Sequence, residues 1–285
     1  MKFTLFATNI PVDQVLPVGR AADQCGWHAM ALPDCVFHPA EVTGDYPYSE
    51  DGLRHWDPEI PFVDPYIAIP ALAAVTENLH FYTAVLKAVL RQPLLLAKAL
   101  GTAEAMFPGR IALGVGTSWM LEEFKWLDED MPARGSRLDE IMEIIRRCLS
   151  PGWAEFHGKH YDFDRLIMSP VPARPVPIYV GGHAPPALRR AATLGDGWIA
   201  AFAEPDDLRR TIPHLMELRA AGPRASQPFE IIACTMDPPD RERVALLEDL
   251  GVTGIAVRPY PEDADGIHAK CDAIRRYADE VVTKA

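Results

Sequence analysis

Short apolar runs rich in small and β-branched residues alternate, almost from end to end of the chain, with longer stretches whose apolar residues recur at helical spacing. Runs of that length suit strands buried on both faces, and the stretches between them suit helices laid over a parallel sheet. Eight strands are predicted, at Phe3–Ala7, Ala29–Leu32, Leu79–Thr83, Arg110–Gly114, Ile178–Val180, Gly197–Ala200, Phe229–Cys234 and Gly254–Val257. Helices are predicted between them, among them Pro93–Met106, Ala184–Leu194 and Asp240–Leu250. Eight β/α units in 285 residues match a closed (β/α)8 TIM barrel in count and length, so residues 1–285 are expected to form one α/β barrel domain without an internal linker.

Punctuation agrees with this pattern. Pro185 and Pro186 fall in a first helical turn, where a missing N–H costs little, and Gly195 and Gly251 follow two of the helices as stops. The segment Leu94-Leu95-Leu96-Ala97-Lys98-Ala99-Leu100 is so apolar that a broad face must pack on the barrel or on a partner subunit. Two interruptions stand out. One runs from Pro33 to Asp64 and holds five prolines, the aromatics Phe37, Tyr46, Tyr48, Trp56 and Phe62, and the histidines His38 and His55. It is too aromatic for a disordered linker and reads as an extended binding loop. The other, from Pro132 to Val176, holds a predicted helix, Ser136–Leu149, and a hairpin around Gly158. Both follow strand C-termini and leave from one end of the barrel.

Charge narrows the partners. A net charge of −12, from 28 basic and 40 acidic residues without a Lys/Arg run, disfavours a nucleic-acid surface and favours a small molecule. The first residues, Met1 to Ala7, hold one lysine and no long apolar core, and no apolar run reaches a membrane span, so a soluble cytoplasmic protein is expected. Five scattered cysteines without a C-x-x-C pair argue against a disulfide framework. No zinc motif occurs, and His157 and His160 read as a hairpin tip, so no metal is expected.

In such a barrel the chemistry gathers at the C-terminal strand ends. Those positions are Asn9; Asp34 and Cys35; Ala84, Val85 and Leu86; Gly114, Gly116, Ser118 and Trp119; Gly181, Gly182 and His183; Trp198 and Phe202; Thr235; and Arg258. Small and aromatic residues with few acids or bases suit a flat aromatic cofactor better than acid–base hydrolysis. Two glycine corners, Gly114-Val115-Gly116 and Gly181-Gly182-His183, each lead from a strand into a helix. Glycine permits positive φ, and the first N–H groups of a helix attract anions, so a phosphate-bearing cofactor is predicted. Trp119 stands where a dinucleotide fingerprint has its third glycine, which excludes a Rossmann site. Plainer readings exist beside these. Asp34 can equally tie down the long loop, Trp119 and Trp198 can be core, Glu122 and Glu123 can complement a helix start, and Cys35 can be a small inert side chain.

Two ordered blocks resemble the luciferase-like monooxygenase family, specifically its short branch of coenzyme F420-dependent oxidoreductases. One runs from Leu94 through Pro108-Gly109-Arg110-Ile111-Ala112-Leu113-Gly114-Val115-Gly116 to Glu122-Glu123-Phe124. The other runs from Pro177-Ile178-Tyr179-Val180-Gly181-Gly182-His183 through Ala187-Leu188-Arg189-Arg190-Ala191-Ala192 to Leu194-Gly195-Asp196-Gly197-Trp198. The resemblance extends from Phe3 to about Ala200 and is generic beyond Phe202. It implies a homodimeric TIM barrel with F420, or alternatively FMN, in the barrel mouth. It implies that Gly181, Gly182 and His183 receive the cofactor phosphate, and that Thr83, Ala84 and Val85 form a bulge with a cis Ala84–Val85 peptide against one face of the ring. Gly114 and Gly116 then read as a floor that lets the ring and Trp119 come close.

The chain also departs from that pattern. Pro33-Asp34-Cys35 stands where the branch reads Pro-Asp-His, and a thiol cannot act as a base of pKa near 6.5. His38, three residues on, is the residue able to stand in. Trp119 replaces the acidic proton donor of sugar-phosphate dehydrogenases, so such a substrate is not expected. The resulting expectation is an oxidoreductase that passes hydride between F420 and an apolar or partly aromatic molecule, with Asp34, Cys35, His38 and Glu122 as catalytic candidates. In it, Asp34 and Glu122 position polar edges while the long loop closes over them. The alternatives are an FMN-dependent monooxygenase, a non-catalytic flavin or deazaflavin carrier, and a Schiff-base or metal-assisted barrel using Lys87. The last has no second base or ligand cluster beside it.

Overall fold

A computed structural model describes residues 1–54, 56–261, 264 and 266–284. In chain order the elements are β1 (Lys2–Phe6), α1 (Val15–Gln24), β2 (Ala29–Leu32), α2 (Pro65–Ala73), β3 (His80–Thr83), β4 (Leu86–Lys87), α3 (Pro93–Met106) and β5 (Ile111–Gly116). Then come α4 (Leu121–Trp126), α5 (Arg134–Cys148), β6 (Trp153–His157), β7 (Asp162–Ile167), β8 (Ile178–Gly181), α6 (Pro185–Leu194) and β9 (Gly197–Ala201). The last are α7 (Pro205–Ala221), β10 (Glu230–Cys234), α8 (Arg241–Asp249), β11 (Gly254–Val257) and α9 (Gly266–Glu280). The sheet runs β3-β2-β1-β11-β10-β9-β8-β5, and a further β3–β5 pairing closes it. All eight of these strands pair in parallel, giving the predicted (β/α)8 barrel.

Alternation along each strand divides the core into two layers. In β2, Met30 and Leu32 face the helices, whereas Ala29 and Ala31 face the lumen. Small lumen residues, Ala256 among them, leave room for Tyr82 and Tyr179, whose rings meet edge to face with centroids 5.7 Å apart. Two helix starts next to the 33–64 loop are fixed by side chains: the Asp64 carboxylate accepts from Tyr66 N at 2.8 Å before α2, and the Gln92 amide oxygen accepts from Leu94 N at 2.6 Å before α3. Proline follows each cap. In α3, Leu96, Ala97 and Leu100 are buried against the barrel, while Leu95 remains 71% exposed, as does Ile67 of the adjoining α2 at 75%.

The barrel closes irregularly between β3 and β5. Their pairing covers only Phe81↔Ile111 and Tyr82↔Ala112, after which the two-residue β4 takes over alongside β5. The peptide between Ala84 and Val85, within this bulge, is cis, as the resemblance implied. The hairpin expected around Gly158 forms as β6 and β7, and the Glu140 carboxylate of α5 accepts from the backbone N–H groups of Lys159, His160 and Tyr161. His157 pairs with Asp162, and His160 with Ser136. Among the described residues no helix is long and apolar enough to cross a membrane.

Candidate active site

Backbone geometry marks one end of the barrel. Asn9, Ser118 and Phe202, none of them glycine, have φ of 57°, 58° and 53°, and each lies just past the C-terminal end of a barrel strand. Left-handed backbone at side-chain-bearing residues is uncommon and gathers where a site imposes it. The 33–64 loop crosses this same mouth.

The glycines of the two corners face different things. A Cβ on Gly114 would overlap the Thr83 carbonyl oxygen, and one on Gly116 would come within 2.6 Å of the Val85 side chain. A Cβ on Gly181 would lie 2.9 Å from Val85 as well. Both glycines of the first corner thus make room for the chain's own bulge. Thr83 lies at the same seam. Its hydroxyl donates to Gly114 O at 2.6 Å and accepts from Gly114 N at 3.0 Å, standing in for strand pairing where β3 and β5 part. Val85 is the residue this arrangement presents, with Ala84 beside it, both packed on the lumen cluster.

At the second corner Gly182 has a φ of 111°, the conformation that calls for glycine. The Trp198 indole N–H donates to Gly182 O at 2.8 Å and fixes the turn. The helix-start donors expected here are absent for a chemical reason. Pro185 and Pro186 occupy the first two helical positions and carry no N–H, while Ala187 N and Leu188 N both donate to Ala184 O. An anion at this corner must be met by the backbone of residues 182–184. His183 is held through its Nε2, 2.8 Å from Ala201 O, and its ring lies edge-on to Trp198 and Tyr48.

Two of the acidic candidates are spent on the loop. Asp34, whose side chain is 2% exposed, makes a bidentate pair with Arg91 at 2.8 Å on each arm and also accepts from Lys87 N at 2.9 Å. Its carboxylate anchors the loop, and the placing of a ring or substrate edge expected of it is corrected accordingly. Glu122 accepts from Thr43 N at 2.7 Å, and that bonding holds its carboxyl below the ordinary range against the burial that opposes it. The neighbouring Glu123 is the acid that reaches inward. Fully buried, it pairs with Lys87 Nζ at 2.5 Å and accepts from Ser118 Oγ at 2.7 Å.

Cys35 and His38 do come together. Cys35 Sγ lies 3.7 Å from His38 Nδ1 and donates to Phe37 O at 3.3 Å. Burial, with Lys87 partly opposing, pushes the Cys35 thiol up to about 11, so it stays protonated at neutral pH. Burial, then the charges of Arg54 and Lys87, keep the His38 pKa below its ordinary value and the ring neutral. His38 Nε2 is buried without a hydrogen-bond partner among the described residues, beside Trp56 and Phe62. His55 lies outside the described residues.

The loop also places aromatics on both corners. Tyr46 packs on Trp119 with centroids 5.4 Å apart, and Tyr48 packs on His183 at 5.7 Å and on Phe202 at 6.1 Å. Under the loop, between the ends of β1, β9, β10 and β11, lies an aromatic-walled cavity of about 110 Å³. The sequence named all four of Glu123, Lys87, Trp56 and Thr235, but as a helix-start acid, a Schiff-base alternative, a loop aromatic and a strand end, and put none of them among the catalytic or cofactor-binding candidates.

Fold and topology together define a closed (β/α)8 barrel whose long loop crosses the C-terminal mouth. The chain matches the luciferase-like monooxygenase family over residues 4–270 and belongs to it. An uncharacterized protein of Mycobacterium tuberculosis is 38% identical over 289 residues, covering 100% of both chains. An F420-dependent glucose-6-phosphate dehydrogenase of Nakamurella multipartita is 30% identical over 263 residues, which cover 88% of this chain and 75% of its own. Monooxygenase RslO1 from Streptomyces bottropensis superposes with a TM-score of 0.80 at 17% identity over 99% of each chain. Coenzyme F420-dependent tetrahydromethanopterin reductase from Methanopyrus kandleri does so with a TM-score of 0.77 at 14% identity, covering 99% of this chain and 98% of its own. At those identities the structural likeness establishes the fold alone.

Proposed function

We propose that the chain is an F420-dependent oxidoreductase that exchanges hydride with a small organic substrate at the barrel mouth. The observation that carries this reading is the seating of Val85. Gly116 and Gly181 leave just enough room to hold it against the mouth, next to a corner whose Gly182 backbone is shaped to approach a ligand closely. The residues fit a flat ring with a phosphate tail: Val85 supports one face, and the backbone of residues 182–184 meets the phosphate. Relatives named as F420-dependent favour F420 over FMN. When bound, the reduced deazaflavin supplies a hydride.

The chain's own residues bind, orient and protect. Asp34 and the buried Lys87–Glu123 pair hold the base of the loop, and the loop aromatics exclude water. Tyr48, packed on His183, brings the loop up against this corner. His38, neutral and packed among the loop aromatics, with its Nε2 unpartnered among the described residues, is the group that gives or takes a proton, with Cys35 beside its Nδ1. The exposed Ile67 and Leu95 offer a face for a second copy of the chain.

Separate fluorescence titrations of the purified protein with F420 and with FMN test this. Saturable binding with F420 preferred is expected. Preference for FMN, with oxygen consumption when a reductase is added, would move the chain to the monooxygenase class. Binding of neither would reject the reading.

A further inference from the structure

The cavity under the loop says more about what is bound there than the corners do. Its walls are Phe6, Trp56, Ile60, Phe62 and Phe202, contributed by two strand ends and the loop. At about 110 Å³ and open on one side, against roughly 150 Å³ for a closed apolar cavity that takes one benzene, it has room for no more than a single small ring that can project from its mouth. Two polar atoms of its lining residues are buried without a hydrogen-bond partner among the described residues. They are Thr235 Oγ1, on a residue 9% exposed, and the Trp56 indole Nε1. An indole N–H can only donate and a hydroxyl can donate, so both are answered by a ligand oxygen that accepts.

The charge of the lining restricts that ligand further. Among the described residues Arg258 is the one cation in it, and it is already engaged within the chain, as is Asn9. A phosphate dianion asks for several charge-assisted donors, and these walls do not supply them. Resting on the cofactor reading above, we infer that the substrate is an uncharged monocyclic carbonyl compound. Its ring lies among Phe6, Phe62 and Phe202, and its oxygen is met by Thr235 and Trp56. This sets the chain apart from relatives named for glucose 6-phosphate.

Calorimetric titration of the full-length protein, with and without F420, tests this using cyclohex-2-enone, methylcyclohexane and glucose 6-phosphate. The enone is expected to bind, the hydrocarbon to bind more weakly, and the sugar phosphate not to bind. Thr235→Val and Trp56→Phe are each expected to weaken the enone by roughly 3- to 10-fold, the loss of one hydrogen bond, and to leave the hydrocarbon unchanged. F420 affinity is read in parallel on the same samples. If F420 fails to bind while the enone still responds to both variants, the cofactor reading falls and the cavity assignment stands. The assignment is overturned if glucose 6-phosphate binds better than the enone, if the enone does not bind, or if neither variant changes its affinity.

Discussion

The two glycine corners look alike in sequence and do opposite things. After β5, Gly114 and Gly116 are glycines because other parts of the chain occupy the space a side chain would need. After β8, Gly182 is glycine because its backbone turns to a φ of 111°. The first corner serves the fold, by seating Val85. The second leaves backbone available at the mouth. A glycine motif thus gives the positions where backbone comes close, while the partner in that approach depends on the strands around it.

The comparison can be broken most sharply at Gly114. Gly114→Ala forces the Thr83 carbonyl aside and disrupts the Thr83–Gly114 bonds that close the barrel. A loss of about 3 kcal/mol or more is expected from urea unfolding, and a loss below about 1 kcal/mol would show that the seam yields easily. Asp34→Ala comes next. It leaves Arg91, 19% exposed, without its bidentate partner, and should cost about 3 kcal/mol while Asp34→Asn costs less. If both variants unfold like wild type but lose activity, Asp34 acts on substrate and the anchoring role is wrong.

The smallest effect lies at the other end of the barrel and separates stability from function by pH. His28 stacks on His80 with centroids 4.6 Å apart, and burial, then the charges of His80 and Lys2, lower its pKa from 6.5 to about 4. Between those values the unfolded chain takes up a proton that the folded chain refuses, so stability falls as pH drops from 6.5 and levels off below 4. After allowance for partial exposure the contribution is about 1 kcal/mol. Unfolding free energies of wild type and His28→Gln from urea melts should diverge by this amount between neutral and acid pH, with no change in cofactor affinity. Parallel pH profiles for the two proteins would contradict it.

The eight barrel strands were legible because a strand covered on both faces is a continuous apolar run, and each observed strand lies within two residues of its predicted place. β4 was not, since a two-residue strand has no period to detect. At the site, the sequence located the glycines but not their neighbours. It marked Glu122 and Glu123 together, but which of two adjacent residues turns inward depends on how the short α4 is docked. It placed Pro185 and Pro186 correctly at a helix start, yet their missing N–H groups also remove the anion donors that made the corner attractive. Thr235 was named as a strand end. Whether its hydroxyl finds a partner is a property of the assembled mouth.

The difference between the corners is tested most directly by titrating F420 into wild type and Gly182→Val while following thermal unfolding of both. Backbone strain at φ 111° and contact with Ala187 should cost about 2 kcal/mol of stability, leaving the variant folded. Its F420 affinity is expected to fall at least about tenfold, the equivalent of roughly 1.4 kcal/mol of lost binding. A folded Gly182→Val protein that binds F420 as wild type does would contradict the assignment of the phosphate to this corner.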